Sequence, residues 1–164
     1  MRNKIIVKSM LVAVAAALML TAAACSGGTA QMPQGKISPT WIAAEVNGDE
    51  VSISEDEVNS DVMTHFEVQV GDQDLTFMAY VIGGQIQVRA DVCVPCRSIS
   101  FSLDGDELIC NACGTIFSSN DGRGISGPCK NYPKASVPYQ VIDGRIVMEM
   151  NGLQYAYGDT LQPG

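Results

Sequence analysis

From about residue 41 onward, apolar and polar positions alternate with a period of two, and the helical period is nearly absent. "AEVNGDEVSI" places Asn47-Gly48 between apolar positions, a hairpin signal. "HFEVQV" alternates Phe66, Val68 and Val70. "LTFMAYVI" is apolar at both parities and predicts a strand buried on two faces. Gly83-Gly84 turns the chain into "QIQVRADV", with Ile86, Val88, Ala90 and Val92 on one face. "SISFSL" alternates again, and "DGD" turns it into "ELIC". Near the end, "PYQVIDGRIVMEM" and "NGLQYAY" read as further strands, with turns at Asp143-Gly144 and Asn151-Gly152. Only "SEDEVNSDV" suggests a helical turn, Ser54 and Glu57 having capping-box spacing. The pattern predicts one all-β domain over residues 41–158, followed by a short tail, 159–164.

The first forty residues have another character. Arg2, Lys4 and Lys8 form a basic start, Met10 to Leu20 is apolar, and Ala22-Ala23-Ala24 leads to Cys25. This is the layout of an export signal, and its apolar run is short for a membrane span. Small residues directly before a cysteine resemble a bacterial lipobox, which implies cleavage after residue 24 and lipidation of Cys25. A multiply acylated cysteine holds a protein to a bilayer through about 0.8 kcal/mol per buried methylene. Residues 25–40, rich in Gly, Ser, Gln and Pro, read as a flexible tether. The expectation is an extracytoplasmic lipoprotein, with the membrane as its first partner.

Charge narrows the range of partners. Three of the ten Lys and Arg lie in the leader, leaving seven against 18 acidic residues, a net charge of −11 for the remainder. Such a surface argues against nucleic acid.

The chemistry lies in the cysteines. Cys93, Cys96, Cys110, Cys113 and Cys129 follow the spacing C-x2-C-x13-C-x2-C-x15-C. Two C-x-x-C turns joined by a short hairpin bring four thiolates to one point, as a tetrahedral metal or an iron–sulfur cluster requires. Pro95 and Gly114 suit the tight turns. The alternative is disulfide or thiol–disulfide chemistry, which an oxidising compartment favours. Both readings stay open on spacing alone.

The run "CVPC…CNACGTIF…SGPCKNYP" resembles the FtrD-like membrane iron–sulfur proteins, and the likeness extends upstream through "HFEVQVGDQDLTFMAYVIGGQIQVRADVC". It covers about residues 50–155. Members are usually embedded through several helices; here a lipobox-like leader stands in their place. The resemblance implies an iron–sulfur or other metal site and a role in electron transfer or metal handling linked to iron uptake. The implied partners are a membrane transporter or a redox protein.

"CNACGTIFSSNDGRGISGPCKNYPKASVPYQVIDGRIVM" is also similar to the second half of a Rieske domain. That similarity implies a Rieske-like small sandwich with a zinc-ribbon-like lobe. By position Cys93, Cys96, Cys110 and Cys113 would be ligands, with Cys129 in a covering loop as a fifth, exchangeable ligand, a resolving thiol or an inert loop cysteine. A Rieske centre has one cysteine and one histidine in each ligand pair, whereas both pairs here are cysteine. All-thiolate ligation lowers the potential of a [2Fe–2S] centre by several hundred millivolts. The leader has Arg2-Asn3-Lys4 and no twin arginine, so export of an unfolded chain would leave the centre to be assembled outside. Zinc, iron or copper acquired after folding fits that route, since soft thiolates favour Cu(I), Zn and Fe–S.

The remaining residues add little chemistry. His65 is the only histidine and reads as structural, and one histidine supports no triad. Met148 and Met150 alternate and read as core; Trp41 is expected to pack at the domain entrance. Arg97, Arg123, Lys130 and Lys134 flank the cysteines, where cations lower thiol pKa values. Three functions remain: an electron-transfer or metal-handling protein, a thiol–disulfide protein with Cys93/Cys96 or Cys110/Cys113 as its active pair, and a binding module supported by a structural zinc ribbon.

Overall fold

The strand formed by "LTFMAYVI" organises the chain because both of its faces are buried. In the computed structural model, which describes residues 34–164, the elements run β1 (Thr40–Trp41), β2 (Glu45–Asn47), β3 (Glu50–Ser54), α1 (Glu55–Asp61), β4 (Met63–Val70), β5 (Gln73–Ile82), β6 (Gln85–Ala90), β7 (Phe101–Asp104), β8 (Glu107–Cys110), β9 (Ile116–Ser118), β10 (Gly124–Ser126), β11 (Gln140–Ile142), β12 (Arg145–Glu149) and α2 (Met150–Thr160). The expected leader and the expected lipidation site at Cys25 lie outside the described residues.

Three four-stranded sheets form, ordered β1-β4-β5-β6, β11-β12-β3-β2 and β10-β9-β8-β7. Successive side chains of a strand point to opposite faces. On β5, Leu75, Phe77 and Ala79 therefore enter one core while Met78, Tyr80 and Ile82 enter another. The first core lies against β3, β12 and both helices, through Val51, Ile53, Ile146, Met148, Val58 and Leu153. Phe66 and Phe77 stack there at 5.5 Å, and burying each such ring is worth about 1.5–3 kcal/mol. The second core lies against β7, β8 and β9, through Phe101, Leu103, Leu108 and Phe117, and it includes Cys93, Cys110 and Cys129. The cysteine lobe is thus packed onto the domain rather than appended to it.

The expected hairpins form. β2 and β3 pair around Asn47-Gly48, β11 and β12 around Asp143-Gly144, and β7 and β8 in the register Phe101↔Cys110. The Ser54 hydroxyl caps α1 by accepting the Glu57 N–H at 3.2 Å. One expectation fails: "NGLQYAY" is part of α2, not a strand, and Asn151-Gly152 makes no hairpin turn. Leu153, Ala156 and Thr160 recur at helical spacing and are buried. The Ala135 N–H bonds the Thr160 hydroxyl at 2.9 Å, and Tyr157 meets Phe77 edge-on at 6.0 Å. With two glycines, this helix owes its stability to packing rather than propensity. Met148 is core as expected, while Met150 opens the helix and packs half-buried on the same core.

Candidate metal centre

The two C-x-x-C turns are built alike. In the first, the Arg97 N–H bonds the Cys93 carbonyl at 2.6 Å; in the second, the Gly114 N–H bonds the Cys110 carbonyl at 2.9 Å. Arg97 and Gly114 both take the left-handed backbone, at φ 57° and 69°. Glycine does so at little cost, so Arg97 is the more strained of the two. Each turn aims both of its sulfurs the same way.

A second backbone bond closes each turn on itself. The Cys93 N–H bonds Ser98 O at 2.8 Å, and the Cys110 N–H bonds Thr115 O at 2.9 Å. Asn111 ties the second turn to the segment that leaves the first: its N–H reaches Ser100 O at 2.8 Å, its side-chain amide reaches the Ser100 hydroxyl at 3.1 Å, and its side-chain carbonyl accepts the Ser102 hydroxyl at 3.0 Å.

The sulfurs converge as a result. Cys93 Sγ lies 3.8 Å from Cys113 Sγ, Cys96 Sγ lies 3.8 Å from Cys110 Sγ, and all four lie within 4.8 Å of one another. Cys129 Sγ stands 3.7 Å from Cys113 Sγ, outside that set of four. None of these five cysteines is bridged; the gaps are nearly twice a disulfide bond of about 2.05 Å. Cys93, Cys110 and Cys129 are buried, Cys113 is half-buried and Cys96 is exposed. One edge of the site faces solvent.

The environment gives the thiols different affinities for a proton. Burial, followed by hydrogen bonding with neighbouring thiols, pushes Cys93 well above the usual range. Burial also raises Cys96, to about 11. Partial burial opposes ionisation of Cys113, but hydrogen bonds from the Thr115 side chain and backbone outweigh it and bring Cys113 down to about 6. The Thr115 hydroxyl accepts the Cys129 N–H at 3.1 Å, which leaves its proton for Cys113 Sγ, also at 3.1 Å. The loop carrying Cys129 comes so close at Gly127 that a Cβ there would sit 2.6 Å from Thr115 Cα.

Of the four flanking cations, only Lys134 is buried. Its Nζ donates to Val92 O at 2.5 Å and lies 4.7 Å above the Phe117 ring. Burial lowers its pKa to about 8, against the upward pull of Cys93, Asp91, Cys110 and Cys129. Arg97 and Lys130 are exposed, and Arg123 meets Asp121 at 3.5 Å on the open surface. His65 stands apart from the sulfurs, its Nδ1 2.9 Å from Asp91 Oδ2 and its ring edge-on to Trp41 at 5.3 Å. Trp41 itself is about half exposed, at 52%. The role of Asn111 and the bond from Cys129 to Thr115 follow from placement in the fold, for which spacing along the chain carries no signal. Thr115 does follow a C-x-x-C-G turn, a position from which a hydroxyl can reach back to the second sulfur.

Four thiols within 4.8 Å of one another suit a thiophilic metal and have no counterpart among ordinary buried cysteines. The family described as membrane iron-sulfur containing protein FtrD-like matches residues 58–158, and the chain belongs to that family. None of the curated proteins matches the chain. Among solved structures, a chain in the complex of reduced oxygenase and oxidized ferredoxin in carbazole 1,9a-dioxygenase aligns with a TM-score of 0.50. It is 22% identical, and the alignment covers 63% of this chain and 95% of that one. The likeness is one of fold: an all-β, Rieske-like architecture, as the sequence implied. Among the described residues, no helix is long and apolar enough to cross a membrane.

Proposed function

We propose that this FtrD-like chain is a lipid-anchored extracytoplasmic electron-transfer or metal-handling protein that serves iron or other metal uptake. One observation carries the reading: four sulfurs from two matched turns meet within 4.8 Å beside an open edge. Cys93, Cys96, Cys110 and Cys113 would hold the metal. A bound iron would supply one-electron chemistry, at a potential lower than histidine ligation gives. The chain's own part is to fix the sulfurs, keep Cys93 and Cys110 dry and leave Cys96 accessible to a partner. Lys134 adds a buried positive charge beside a thiolate set of net negative charge. The leader and Cys25 support anchoring at a membrane, where a transporter or redox protein would be the partner. Replacing both Cys110 and Cys113 by serine tests the ligand set. Loss of metal uptake is expected; retention of a full equivalent of metal would refute it.

A thiol–disulfide reading is favoured by one relationship, a Cys113 thiol with its pKa near 6 lying 3.7 Å from Cys129. Free-thiol counting separates the two readings. A metal protein releases titratable thiols when the metal is chelated, whereas an oxidised pair releases them only after reduction.

A further inference from the structure

The spacing of the four sulfurs bears on how many metal ions they hold. Four sulfurs bound to one tetrahedral ion at about 2.3 Å stand about 3.8 Å from each other. The Cys93–Cys113 and Cys96–Cys110 distances are both 3.8 Å, and no pair among the four exceeds 4.8 Å. A two-iron cluster divides its thiolates into two pairs at opposite ends of an iron–sulfide rhomb, so distances between pairs far exceed those within a pair. A four-iron cluster sets its thiolates, one on each iron, at the corners of a much larger tetrahedron. The four sulfurs here show no such division.

The turns also cannot simply spread to admit a rhomb. Each is closed by its own backbone hydrogen bond, at 2.6 and 2.9 Å, and Asn111 of the second turn is tied through backbone and side chain to Ser100, three residues beyond the first. Widening the site means breaking hydrogen bonds on both sides. Cys129 is not needed to fill the coordination sphere, because four sulfurs already complete a tetrahedron.

We infer that Cys93, Cys96, Cys110 and Cys113 form a cage for a single thiophilic metal ion, not for a multi-iron cluster. The inference rests on the metal-centre reading above and deepens it. It also suits a chain exported unfolded, because one ion can enter a folded cage without cluster assembly.

The test is metal and acid-labile sulfide analysis of the full-length protein, purified anaerobically from its envelope, together with its visible spectrum. One metal ion per chain without sulfide is expected. A coloured iron form would support both the inference and the electron-transfer reading. A colourless zinc form would support the cage but sink electron transfer. Two irons with two sulfides per chain would overturn the single-ion cage and leave electron transfer standing. Protein without metal, its thiols intact after loading with Fe(II) and Zn(II), would sink both.

Discussion

The Thr115 hydroxyl stands 3.1 Å from Cys113 Sγ while accepting the Cys129 N–H at 3.1 Å, so one side chain ties a thiol of the cage to the loop above it. A hydrogen bond to a charged group is worth about 1.5–3 kcal/mol. Thr115→Val should therefore carry the Cys113 pKa from about 6 towards roughly 8 in metal-free protein. Alkylation of Cys113 at pH 7 should slow about five- to tenfold, and Thr115→Ser should restore it. An unchanged alkylation pH profile in Thr115→Val would show that the hydroxyl does not set this acidity.

Cys129 offers a contrast with its neighbour. It is buried and close to Cys113, yet it lies outside the four-sulfur set. Cys129→Ser should keep a full equivalent of metal and the same spectrum, while Cys110→Ser should lose most of it. Metal content measured per folded chain checks this, and loss of the ion in Cys129→Ser would place that sulfur among the ligands.

Lys134 is 1% exposed and sits among aromatic rings beside the cage. A buried cation stabilises nearby thiolates and favours the more reduced, more negative form of a redox centre. Lys134→Met, which keeps most of the volume, should lower the midpoint potential by tens of millivolts, the scale of a Coulomb coupling of about 1–2 kcal/mol. Voltammetry of the loaded protein reads this directly. A potential that stays put or rises would remove Lys134 from the electrostatics of the site.

Tyr80 links the central sheet to the cysteine lobe. Its hydroxyl donates to Ser119 O at 2.6 Å and accepts Arg89 Nε at 2.8 Å. Burial raises its pKa to about 12, partly offset by Arg89. Between pH 10 and 12 the unfolded chain loses this proton and the folded chain keeps it, so stability falls as pH rises, by about 3 kcal/mol in total. Tyr80→Phe should flatten that alkaline limb and cost about 1–3 kcal/mol at neutral pH, because Arg89 Nε and Ser119 O lose their partner. Denaturant melts across pH 8–12 test both effects.

How far the sequence reveals this molecule differs from element to element. The doubled C-x-x-C and its hairpin are legible because each turn is local, "SISFSL" alternates strictly and "DGD" marks the turn into "ELIC". β5 is legible because a short run that is apolar at both parities is stable only where both of its faces meet a core. The terminal helix is not, because Asn151-Gly152 gives a strong local hairpin signal that tertiary packing overrides. The Met150 N–H bonds Asp49 O at 2.8 Å, so the chain starts α2 while still tied to the β2–β3 turn. Burial of Lys134 is equally hidden. Its neighbours Phe101, Phe117 and Val92 are distant in sequence, and four flanking cations look alike until the fold selects one.

Metal-edge X-ray absorption on the protein as isolated tests the convergence of four thiolates most directly. One shell of four sulfur scatterers at about 2.3 Å, with no short metal–metal distance, is the expected result. Fewer than four sulfurs around the metal, or a short metal–metal vector, would contradict it.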